Sequence, residues 1–280
     1  MTAHQTAPAP KAAAELAALT ERLDADGIIG LPGAFSRDWV RQLGEDIDTA
    51  FAEARARPDG AVGRGPNRFY VEIHPEQLRG FTDLVTHPWI TAVAEAVLGP
   101  EYRIVEVGFD VPLAGAVDQP WHRDFPMPAE TARERRLTSL AVNVTAVDTE
   151  PDMGPFEIAP GTHWDSGSAF EHGMFPPREA WPRYEELAVR KFPQMGDISI
   201  RSALTLHRGT ANHSAKARPV LVLGLDAPGA GNDERHDTAV TKRFWASLPE
   251  SVRAHLHCPV VDVLTPITQK HTIEGLVMGT

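Results

Sequence analysis

The chain has a single cysteine, Cys258, in 280 residues, so no internal disulfide can form, which fits a reducing compartment. No run approaches the ~20 apolar residues of a spanning helix, and the first 14 positions hold no apolar core preceded by positive charge, so no secretory signal is read there. Positive charge is in deficit, with 27 Lys and Arg against 38 Asp and Glu and a formal charge of −11. A nucleic-acid partner would want a basic stripe and an anionic membrane surface a polybasic cluster; this balance disfavours both. The expectation is a cytoplasmic protein that handles small molecules. Its 42% hydrophobic content suffices for a buried core of enzyme size. Nothing in the residues fixes an oligomeric state.

Residues 1 to 12, rich in Ala, Pro and Thr, read as a disordered tail. Beyond it, 13–280 reads as one domain, since no repeat or linker divides it. Leu16, Leu19 and Leu23 recur at helical spacing, and Asp26-Gly27 breaks that helix before a short strand at Ile28-Ile29. Ser36 is placed to cap a helix reaching about Ala56, with Trp39, Leu43, Ile47 and Phe51 on one face. The stretch 57–68 reads as a loop, and His87-Pro88 opens a helix that stops at Gly99-Pro100. The character then changes: 102–112, 137–147, 154–160, 196–207 and 218–226 are short, rich in Val, Ile, Leu and Thr, and separated by Gly, Pro and Asp. This is a helical front half followed by a β-rich barrel or jelly roll. An insertion at about 162–192, carrying Trp164, Phe175 and Trp181, has the length of a lid or a separately packed unit. The segment 237–256 reads as mostly helical.

Chemistry concentrates at Trp121-His122-Arg123-Asp124-Phe125. On a strand, positions i and i+2 face one side, so His122 and Asp124 point together into a cavity while Arg123 points away. His207 ends a strand-like run whose alternation places Arg201, Ala203, Thr205 and His207 on one side. Two imidazoles and one carboxylate can occupy one face of an octahedral Fe(II) and leave the other open. Arg218 follows His207 by eleven positions, and a returning strand would bring its planar fork back across the cavity to grip a carboxylate. His255-x-His257 is a rival pair without a nearby carboxylate.

Together with Asp26-Gly27-Ile28-Ile29, His87-Pro88, Leu98-Gly99-Pro100, the run Met153 to His163, and Gly196-Asp197 through Asn212 and Ser214, these residues resemble the phytanoyl-CoA dioxygenase family of Fe(II)/2-oxoglutarate oxygenases. The resemblance implies a mixed, mainly β fold: a double-stranded β-helix, the cupin-like jelly roll, with flanking α-helices. It implies Fe(II) on His122, Asp124 and His207, and the distal carboxylate of the cosubstrate 2-oxoglutarate on Arg218. It further implies a 2-oxoglutarate-dependent dioxygenase that consumes O2, releases succinate and CO2, and hydroxylates an unactivated C–H of a small-molecule substrate. Desaturation, epimerisation or cyclisation with the same cofactors is the alternative outcome, and a non-catalytic cupin-like metal-binding protein the alternative class. Asp124 stands where a halogenase has a small residue. Family members often carry Ser two positions after the distal His; here that position is Gly209, which leaves Thr205 or Ser214 as substitutes.

Alternation along 139–144 puts Ser139 and Asn143 towards the cavity and Leu140, Val142 and Val144 towards the helices. Glu106 is expected to face inward, Phe125 to border the entrance, and Trp164 to join a lid over the substrate. Arg123 or Arg208 is a candidate for holding an anionic substrate group.

Overall fold

The structure is a computed structural model, described over residues 13–165, 169–230 and 236–270. Helix α1 (Ala13–Asp26) leads into β1 (Ile28–Leu31), followed by α2 (Arg37–Arg55), β2 (Val62–Gly63) and β3 (Arg68–Glu72). Two helices, α3 (Phe81–Val85) and α4 (Pro88–Leu98), precede β4 (Arg103–Pro112). After α5 (Ala129–Glu134) come β5 (Ser139–Thr145), β6 (Phe156–Ile158), α6 (Trp181–Leu187) and β7 (Val189–Lys191). The chain continues through β8 (Ile198–Ser202), β9 (His207–Gly209), β10 (Val220–Asp226) and β11 (Val240–Thr241), then α7 (Lys242–Ser247), α8 (Glu250–Arg253) and β12 (Val260–Val261).

Seven strands form one sheet in the order β1-β8-β5-β10-β4-β3-β2, and β7-β6-β9 form a second. All ladders in both are antiparallel. The fold is the double-stranded β-helix with flanking helices. The helices cover one face of the large sheet because α2 presents a continuous apolar stripe. Its cap forms as the sequence predicts, with the Ser36 hydroxyl accepting from Trp39 N. Trp39, Val40, Leu43 and Ile47 then pack in one core with Leu140, Val142, Val144, Leu221, Leu223 and Leu225. Each such side chain withdrawn from water contributes ~2 kcal/mol.

Three expectations are corrected. The run 199–207 is not one strand: Thr205 N bonds Ser202 O at 3.2 Å, so the chain turns after β8 and crosses to the other sheet before β9. The span 237–256 holds two short helices, broken at Leu248-Pro249, where a proline cannot continue the first. Residues 68–72, left outside the predicted strands, form β3, paired to β4 from Arg68↔Pro112 to Glu72↔Gly108. The expected tail, 1–12, lies outside the described residues.

Candidate metal centre

The two sheets enclose a cavity of about 730 Å³ whose lining includes His122, Asp124 and His207. One ligand atom from each lies within 4.8 Å of the others, and this is the single His/Cys/Asp/Glu group of that kind among the described residues. Backbone bonding sets the arrangement. His122 N donates to His207 O at 3.0 Å, His207 N donates back to His122 O at 2.9 Å, and Asp124 N donates to Ala203 O at 3.0 Å. His122 is thus held by an isolated bridge to His207 rather than in a strand. The alternation expected there survives nonetheless: Arg123 turns away from the cavity.

The donors are in the protonation states a metal requires. His122 Nδ1 contacts Pro120 O and His207 Nδ1 contacts Thr205 O, both at 2.9 Å, which leaves each Nε2 as a lone-pair donor. Burial, then the neighbouring His207, pushes His122 well below the usual imidazole pKa; burial, then Arg201, lowers His207. Both rings are neutral at pH 7. Burial alone would raise Asp124, but the Arg201 guanidinium and His207 outweigh it and hold the carboxyl far below the usual range. Arg201 meets both Asp124 oxygens, at 2.6 and 3.1 Å. Two neutral nitrogens and one ionised oxygen suit a divalent first-row metal. The rival His255 is occupied otherwise, stacked on Tyr102 with its Nδ1 2.8 Å from Tyr102 O.

A second, cationic part of the cavity fits a carboxylate. Arg218 is 4% exposed, lines the cavity, and donates from Nε to Gly154 O at 2.9 Å. Burial and then the nearby Arg68 lower its pKa to about 10. Arg68, on β3, is 1% exposed and bonds Asp110 Oδ2 at 3.1 Å and Thr210 O at 3.0 Å. Its Nε is buried without a hydrogen-bond partner among the described residues. Two buried guanidinium groups against one Asp110 leave net positive charge, which an anion would offset. Arg68 also explains Gly209. A Cβ there would lie 2.0 Å from Arg68 Nη1, so the guanidinium fills the space that a serine would take.

The remaining expected residues divide. Ser139, Asn143, Glu106 and Phe125 line the cavity. Thr205 does not: it is fully buried, and its hydroxyl donates to Gly27 O at 3.1 Å, because the turn after Ser202 resets the alternation. Ser214 bonds Asn212 and Lys216 instead. Arg123 is buried under Phe170 and donates to the Asp165 carbonyl, and Arg208 pairs with Glu157 at 2.8 Å; neither reaches the cavity. Trp164 packs on the main core beside His163, so it contacts no substrate space. From the insertion it is Phe175 that lies against His122, while Val189, Lys191 and Phe192 reach the cavity wall. Arg68, Tyr70 and Glu72 were missed with β3. Their signal was present: an Arg-Phe-Tyr-Val-Glu run straight after Gly65-Pro66-Asn67 has strand composition and a turn before it.

A jelly roll carrying this ligand triad with a buried guanidinium opposite defines the class of Fe and 2-oxoglutarate-dependent oxygenases. Residues 23–220 match the phytanoyl-CoA dioxygenase (PhyH) family, and the chain belongs to it. It is 24% identical over 153 residues to the ectoine dioxygenase of Stutzerimonas stutzeri (strain A1501), covering 52% of this chain. The match spans 50% of that relative, so the chain spans about half the length of the curated relative it matches. Among solved structures it resembles the α-ketoglutarate-dependent carbocyclase SnoK from nogalamycin biosynthesis (TM-score 0.60, 19% identity, 78% of this chain and 88% of that one). It resembles equally EctD from S. alaskensis, solved with 2-oxoglutarate and 5-hydroxyectoine (TM-score 0.60, 21% identity, 79% and 78%). No described helix is long and apolar enough to cross a membrane.

Proposed function

We propose that the chain is a non-haem Fe(II)/2-oxoglutarate-dependent oxygenase that hydroxylates an unactivated C–H of a small metabolite. The observation that carries this is the convergence of His122, Asp124 and His207 within 4.8 Å, with both imidazole Nδ1 atoms held at backbone carbonyls. Iron and 2-oxoglutarate, when bound, supply the oxidising chemistry, with one atom of O2 entering succinate and the other the product.

The chain's own residues provide position and charge. His122 and His207 present neutral nitrogens, and Arg201 fixes the Asp124 carboxylate by bonding both of its oxygens. Arg218, supported by Arg68, offers the cosubstrate's distal carboxylate a preformed cationic seat that costs little reorganisation on binding. Asn143 and, at the opposite end of the same strand, Ser139 add polar side chains to the cavity wall. Phe125, Phe156 and Phe175 border the ligands and limit water there. The same site permits ring closure, the reaction named for SnoK, and product analysis separates it from hydroxylation.

Anaerobic addition of Fe(II) and 2-oxoglutarate is expected to give the weak visible charge-transfer band of a chelated keto acid, at one iron per chain. Asp124→Ala is expected to lose both band and succinate release. A variant with unchanged iron affinity would contradict the ligand assignment, and absence of the band in the wild type would favour a binding protein.

A further inference from the structure

The cavity wall is polarised along one strand. On β3, Arg68, Tyr70 and Glu72 all face the cavity, and four residues of strand separate the first from the last by ~13 Å. Arg68 lies opposite Pro112, whose carbonyl accepts from Arg218 N at 3.1 Å, so the cationic seat is at that end. At the other end stand Glu72, Glu106 and Asp226.

These acids are built into the wall. Glu106 accepts from the Tyr70 hydroxyl and lies over Gly224, where a Cβ would be 2.9 Å from Glu106 Oε2. Glu72 Oε1 is 3.3 Å from His236 Nδ1. The cations nearby are few: Arg201 is bound to Asp124 and Lys270 pairs with Asp237 at 2.6 Å, while Arg64, whose N donates to Arg68 O at the cationic end, keeps its charge over the Tyr70 ring at 4.2 Å. Even with Asp226 set against Arg103, its partner in the β10–β4 register, the two glutamates outnumber His236. Burial opposes a charged His236 ring, yet Glu106, Glu72 and Asp226 outweigh it and hold its pKa at about 9. Burial, then Glu106 and Glu72, likewise raises Tyr70 well above the usual phenol. An independent sign of a missing ligand is Ser139. Its side chain is 3% exposed, faces the cavity directly opposite Asp226 in the ladder, and its Oγ has no hydrogen-bond partner among the described residues.

Resting on the oxygenase reading above, we infer that the substrate carries a cationic nitrogen, as an ammonium, amidinium or guanidinium, that docks between Glu106 and Glu72. A half-buried pair of carboxylates with one imidazolium leaves negative charge in the cavity wall that a cation satisfies directly. A cation at this end also sorts the two ligands by sign: the dicarboxylate is attracted to Arg218 and Arg68 and repelled from Glu72 and Glu106. Ser139 Oγ, beside Asp226 on the neighbouring strand, offers vacant acceptor capacity to a further donor on the substrate.

The test uses benzamidinium and the near-isosteric, neutral benzamide as probes, titrated calorimetrically at pH 7 into protein loaded anaerobically with Fe(II) and 2-oxoglutarate. Benzamidinium is expected to bind at least tenfold more tightly than benzamide, and Glu106→Gln to reduce that preference to less than threefold. Equal affinities, or a preference that survives in Glu106→Gln, would overturn the inference. Should that variant fail to fold, the His236 ring in the wild type, followed by NMR, gives the same answer. Its pKa falls when benzamidinium binds, and an unmoved pKa overturns the inference. The charge-transfer band is recorded in the same sample. Preference without the band supports the cation subsite and counts against the oxygenase reading, whereas the band without preference overturns the subsite alone.

Discussion

Adding one methyl group at Gly209 is expected to cost ~3 kcal/mol of stability and to weaken 2-oxoglutarate binding at least tenfold. In Gly209→Ala the new Cβ would lie 2.0 Å from Arg68 Nη1, 2.5 Å from Cζ and 2.6 Å from Nη2. Restoring even a tight 3.4 Å contact moves the guanidinium by about 1.4 Å. Even a shift towards the cavity breaks the bonds of Arg68 to Asp110 Oδ2 (3.1 Å) and Thr210 O (3.0 Å). Separating a buried ion pair costs ~3–5 kcal/mol; Asp110, with 18% of its side chain exposed, recovers some hydration and puts the value at the lower end. The backbone adds no strain, since φ at Gly209 is outside the left-handed region. The gain from a stiffer unfolded chain, ~0.4–1 kcal/mol, is too small to compensate. Urea unfolding gives the stability, and titration of the charge-transfer band gives the cosubstrate affinity. Arg68→Met combined with Gly209→Ala is expected to be much less damaging than the sum of the two. A Gly209→Ala protein within ~0.5 kcal/mol of wild type, binding 2-oxoglutarate normally, would refute the packing argument.

Two further outcomes follow from other contacts. Gly27 has φ +72°, and a Cβ there would sit 2.2 Å from Thr205 Oγ1 and 2.7 Å from His163 Nδ1. Gly27→Ala is therefore expected to destabilise by ~2–4 kcal/mol and, because the Thr205 carbonyl holds His207 Nδ1, to weaken Co(II) binding as well; a shift in unfolding midpoint without any change in Co(II) affinity would show that Thr205 does not orient the ligand. His236 should make stability depend on pH. Its folded-state pKa of about 9 lies above the ordinary 6.5, so the charged ring stabilises the fold fully below about pH 6.5, and this is lost as pH rises through about 9. The separation corresponds to ~3 kcal/mol at most. Thermal melts from pH 6 to 10 should fall in wild type and flatten in His236→Gln; parallel curves would remove His236 as the cause.

Legibility in the sequence followed from how local each signal is. His122 and Asp124 are two residues apart, and Ser139, Asn143 and the Leu140-Val142-Val144 face follow a period-two rule that holds within one uninterrupted strand, so these positions fall where alternation put them. The rule fails at Thr205 because the turn after Ser202 transfers the chain between sheets, and alternation carries no information across a turn. Arg218 could be placed because it lies just before a strand that returns beside β4 and β5. The opposite, acidic wall escaped notice because it depends on β3 pairing with β4 across more than 30 residues, and on His236 arriving from a far segment. Arg123 shows the limit of reading charge as function: its guanidinium is covered by Phe170 and spent on a backbone carbonyl.

The paired main-chain bonds between His122 and His207 have a consequence for how the protein acquires its ion. Because the segments that carry the ligands are joined to one another by these bonds, loading is expected to require no folding step, and chelators should strip the centre without melting the barrel. A cradle so fully preassembled cannot choose its occupant by closing around it. Ions higher in the Irving–Williams order, such as Co(II) and Ni(II), are then expected to displace Fe(II) in vitro and to be retained through purification, leaving the cell's supply of each metal to decide which one arrives first.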